Sequence, residues 1–70
     1  MLTEEEKHRK LRKLGGERKL VQRTLTNVQC RERGQPVKWL DLEEVPGTKE
    51  QLLEKLFELR AMIKYIKELS

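Results

Sequence analysis

Thr48-Lys49-Glu50-Gln51-Leu52-Leu53-Glu54-Lys55-Leu56-Phe57-Glu58-Leu59-Arg60-Ala61-Met62-Ile63-Lys64-Tyr65-Ile66-Lys67-Glu68-Leu69-Ser70 carries the clearest periodic pattern in this 70-residue chain. Leu52, Leu56, Leu59, Ile63 and Ile66 recur at steps of four and three, the spacing that stacks side chains on one helix face. Leu53, Phe57, Met62, Tyr65 and Leu69 widen the stripe beyond what one partner helix requires. Thr48 and Gln51 have the spacing of a capping box, and Pro46-Gly47 ahead of them is a turn pair. The pattern predicts a helix over 48–70.

The preceding segment, residues 33–47, reads as a connector. It holds Val37, Trp39, Leu40, Leu42 and Val45, too many apolar side chains for a solvated loop. Pro36 and Pro46 argue against a central strand. The expectation is that it folds back over the hairpin end, with Trp39 covering the core there. A partner-binding strip is the competing reading.

Residues 3–32 predict a second, basic helix. Thr3 and Glu6 have capping-box spacing, and Glu4, Glu5 and Glu6 suit the positive end of the helix dipole. Gly34 and Pro36 close it. Leu11, Leu14, Arg18, Val21, Leu25 and Val28 recur at three and four, a heptad seam with one charged member. Gly15-Gly16 interrupts that seam, yet its phase runs through unchanged. The pattern therefore predicts one continuous helix with a soft point.

Two such helices joined by a short connector imply an all-α fold, an antiparallel, coiled-coil-like helical hairpin forming a single module over 1–70. Two registers satisfy the seam. One sets Leu11 against Ile66, Arg18 against Leu59 and Leu25 against Leu52. The other slides by a heptad, sets Arg18 against Ile66 and leaves residues before about 14 overhanging. An unpaired charge inside a seam is costly, which favours the slid register. In either case the first helix has too few apolar residues to cover the second. Dimerisation into a four-helix bundle would complete the surface. The expected interface is Leu52, Leu53, Leu56, Phe57, Leu59, Met62, Ile63, Tyr65, Ile66 and Leu69.

Charge is uneven. Residues 1–35 hold ten Lys or Arg and five acids, and residues 36–70 hold six and seven. Lys7, Arg9, Lys10, Arg12, Lys13, Arg18, Lys19 and Arg23 are the candidate contacts for an anion or an acidic partner. Nucleic acid is the alternative partner through phosphate contacts, although the basic half lacks aromatic stacking residues.

Candidate chemistry is sparse. His8 lies four residues after Glu4 and reads as a salt-bridged surface group. Cys30 beside Arg31 and Arg33 reads as an incidental half-buried thiol. Gly15-Gly16 lacks the Gly-Lys-Ser/Thr that a phosphate-binding loop needs. Glu43-Glu44 has no companion His or Asp. No catalytic residue, metal site, cofactor or small-molecule substrate is expected. No run approaches a membrane span, and the acidic start Met1-Leu2-Thr3-Glu4 is unlike a secretory leader. These features point to a non-enzymatic intracellular protein that binds another protein, by self-association or by docking a helix.

Overall fold

Both helices begin where a threonine hydroxyl replaces a missing backbone partner. A computed structural model describes residues 2–69. Met1 and the expected helix end at Ser70 lie outside them. The Thr3 hydroxyl accepts from the Glu6 N–H at 3.1 Å and starts α1 (Glu4–Glu32). Thr48 starts α2 (Lys49–Glu68) with the full reciprocal box. Its hydroxyl accepts from the Gln51 N–H at 3.2 Å, and its own N–H donates to Gln51 Oε1 at 2.9 Å. Among the described residues there is no strand, and the two helices pack against each other.

The C-terminus of α1 is closed by its glycine. Gly34 has φ +70, a conformation cheap only without a Cβ. From there the Gly34 N–H donates to the Arg31 carbonyl at 3.1 Å and the Gln35 N–H to the Cys30 carbonyl at 2.8 Å. That pair of bonds is a Schellman motif, which satisfies carbonyls the helix would otherwise leave open.

Gly15 and Gly16 do not break α1, and a Cβ added at either meets nothing within 4 Å. No packing reason therefore opposes a larger residue. Gly15→Ala and Gly16→Ala should each stabilise the fold by about 0.5–1 kcal/mol, through backbone entropy. Chemical denaturation of the single and double variants checks this. A loss of stability would mean that α1 needs its soft point.

The core is one cluster: Val21 and Leu25 from α1 with Leu52, Leu56 and Leu59 from α2. Leu14, Val28 and Val45 pack against it half-buried. Ile66 is buried further along. Leu2 and Lys10 line a cleft with Met62, Tyr65, Ile66 and Leu69. The start of α1 therefore lies beside the end of α2 and does not overhang. This matches the register that sets Leu11 against Ile66, and corrects the expected slide by a heptad. Arg18 stays between the helices, where its long side chain resolves the conflict. Its Nε is buried without a hydrogen-bond partner, while the side chain lines a cleft of about 260 Å³ with Arg60, Ile63, Lys64 and Lys67.

Candidate interaction surface

The connector folds back along the last turns of α1, and Val45, in place of the expected Trp39, packs against the core cluster. Asn27, 0% exposed, holds the connector with a two-way clamp. The Asn27 Nδ2 group donates to the Trp39 carbonyl at 2.9 Å, and the Trp39 N–H donates to Asn27 Oδ1 at 2.9 Å. Nearby, the buried Thr24 hydroxyl donates to the Leu20 carbonyl at 2.8 Å and accepts from the Val45 N–H at 3.1 Å. Arg23 stacks over the Trp39 ring, 4.3 Å from its centroid. A segment without regular structure thus finds partners for its backbone polar groups on one side of α1.

Glu44 completes the fastening. It accepts from Arg31, with which it forms an ion pair, and from Asn27 Nδ2 at 3.3 Å. The Arg31 hydrogen bond is the largest influence on its carboxyl. Partial desolvation works against it, and the bond from Asn27 and the Arg31 charge work with it. The net effect holds the pKa below its ordinary value. A lowered folded pKa means that Glu44 contributes stability above the unfolded carboxylate pKa. That contribution disappears as pH falls through the folded value. Trp39 emission should therefore show an acid transition below the ordinary glutamate pKa of about 4.3. The transition should be absent from Glu44→Gln. An identical pH profile in that variant would remove Glu44 from the fastening.

Because the connector lies on α1, the outer side of α2 is left exposed, except that Leu2 and Lys10 share a cleft with Met62, Tyr65 and Leu69 at its end. Leu52, Leu56, Leu59 and Ile66 of the expected interface are buried within the hairpin, and Ile63 is half-buried. The remaining five are exposed: Phe57 at 77%, Tyr65 at 64%, and Leu53, Met62 and Leu69 at nearly half. Four of these fall at steps of four with exposed Ala61 between them: Leu53, Phe57, Ala61, Tyr65 and Leu69. Such a row forms an oblique ridge on a helix, the kind that interdigitates with a second helix at a crossing angle near −50°. Ala61 is nine residues beyond Leu52, about two and a half turns, so the middle of the ridge points away from α1.

The candidate basic contacts are dispersed. Lys7 and Arg18 are half-buried, and Arg9, Lys10, Arg12, Lys13, Lys19 and Arg23 are exposed. Arg9 pairs with Glu5 at 3.4 Å, Arg23 is engaged on Trp39, and Lys10 borders the Met62–Leu69 cleft. His8 lies 4.0 Å from Glu4 with both side chains largely exposed, a surface pair of little energetic weight. Cys30 is a half-buried free thiol. Among the described residues no helix is long and apolar enough to cross a membrane. The residues that periodicity overlooks are Thr24 and Asn27. Their one available signal is that two small polar side chains sit beside Val21, Leu25 and Val28 on a face otherwise apolar.

No protein-family model, curated protein or solved structure matches the chain.

Proposed function

We propose that this chain is a non-enzymatic protein-interaction module whose α2 ridge docks another helix. The observation that carries this reading is one of area. The hairpin exposes 5809 Å². A compact monomer of 8.4 kDa would expose about 4,600 Å². The surplus, roughly 1,200 Å², exceeds the ~800 Å² that each partner buries in an interface of standard size. Part of it lies on Leu53, Phe57, Met62, Tyr65 and Leu69. The connector is fastened to α1 through Trp39 and Val45, although Leu40 on it stays exposed. Aromatic and Met side chains are the residue types favoured at interface centres. A second copy docked through α2 is the simplest occupant, and it would bring four helices together.

Phe57→Asp and Tyr65→Asp test the reading, since neither side chain contributes to the buried core. Each variant should keep its helical circular dichroism and its denaturation midpoint within about 0.5 kcal/mol. Each should also lose the partner that the tagged wild-type chain retains from its cells, whether a second copy or a foreign protein. Equal retention by wild type and variants would overturn the proposal. Retention only of nucleic acid, lost steeply with salt, would transfer the function to the basic residues of α1.

A further inference from the structure

Charge beside the middle of the α2 ridge is sorted by sign. On one side of Leu53-Phe57-Ala61-Tyr65-Leu69, also in steps of four, run Glu50, Glu54 and Glu58. On the other side, in the same steps, lie Arg60 and Lys64, with Glu68 closing the row. Within a single helix this order is unfavourable, because like charges four residues apart repel. Among the described residues none of Glu50, Glu54, Glu58, Arg60 and Lys64 forms an ion pair. The basic side chains also border a cleft that Arg18 lines, and among the described residues no acidic one lines it.

Resting on the ridge as a helix-docking surface, we infer that its occupant is a second copy of this chain, with the two α2 helices running parallel. A two-fold axis along their common direction places the left edge of one ridge against the right edge of the other. Each copy's Glu54 and Glu58 then lie against Arg60 and Lys64 of the other, twice over. An antiparallel pair would instead lay each row alongside its own copy, basic side to basic side. Ala61 at the crossing point lets the backbones approach, and Phe57 and Tyr65 pack on either side of it. Opposed rows of this kind set orientation and partner choice, as the charged edges of parallel coiled coils do.

Sedimentation equilibrium of the full chain over a wide concentration range tests the inference. The wild type should pass from monomer to dimer. E54K/E58K and R60E/K64E, at exposed positions, should each weaken the dimer about tenfold or more while keeping full helicity. The chain carrying all four exchanges should dimerise again, because both rows are inverted together. A wild type that stays monomeric throughout, or a dimer indifferent to all three variants, would overturn the inference. Retention of a foreign protein sensitive to Phe57→Asp would then still leave the docking ridge standing, so the two failures are separable.

Discussion

Replacing Asn27 with leucine is expected to destabilise the hairpin by about 2–4 kcal/mol, although the two side chains branch alike. Asn27 is fully buried and satisfies both backbone groups of Trp39. Leucine leaves that N–H and that carbonyl without partners, and each orphaned buried group costs about 1–3 kcal/mol. The chain can escape part of this by releasing the connector to water. Release removes the fastening of Trp39 and Val45, so the loss is limited by their packing and is not avoided. The signature is a lower denaturation midpoint together with red-shifted Trp39 emission in the still-helical chain. An unchanged midpoint and emission would show that the connector stays on α1 for other reasons.

Leu59→Asp should have the larger effect and act through a different part of the fold. Leu59 is buried in the cluster with Val21, Leu25, Leu52 and Leu56. Truncating a buried leucine alone costs about 2–5 kcal/mol, and an unpaired carboxylate in its place adds a desolvation penalty. Small domains have only about 5–15 kcal/mol of total stability, and a chain of this length sits near the lower end. The expected outcome is loss of cooperative unfolding and of most helical signal at neutral pH. Phe57→Asp, two residues away on the same helix, should preserve both. If the two variants behave alike, the division of α2 into an inner seam and an outer ridge is wrong.

The helices were legible because periodicity, caps and breakers are local. Thr3, Thr48, Gly34 and the Leu52–Ile66 seam each announce an element without reference to the rest of the chain. The surplus of apolar surface on α2 was legible by comparing the two seams, and Leu53, Phe57, Met62, Tyr65 and Leu69 are indeed exposed. The register was not legible, since heptad spacing permits slides of seven. A charge inside a seam is costly only when the whole side chain is confined there, and Arg18 is not so confined. The half-buried side chain lines a cleft beside Arg60 and Lys64. The path of the connector was hidden for another reason. Its fastening depends on Asn27, Thr24 and Arg31 meeting residues 12 to 21 positions away through polar bonds. Hydrophobic periodicity carries no signal for those.

Hydroxyl-radical footprinting tests most directly whether the outer ridge of α2 is exposed in the isolated hairpin and covered on association. Leu40, at 80% exposed but located on the connector, serves as the internal control. In the dilute chain Phe57, Met62 and Tyr65 should be oxidised readily and Leu52 spared. When the companion binds, whether a second copy or a foreign helix, the ridge residues should become protected while Leu40 remains reactive. Protection of Phe57 and Tyr65 already in the dilute monomer, or reactivity unchanged on association, would contradict the account.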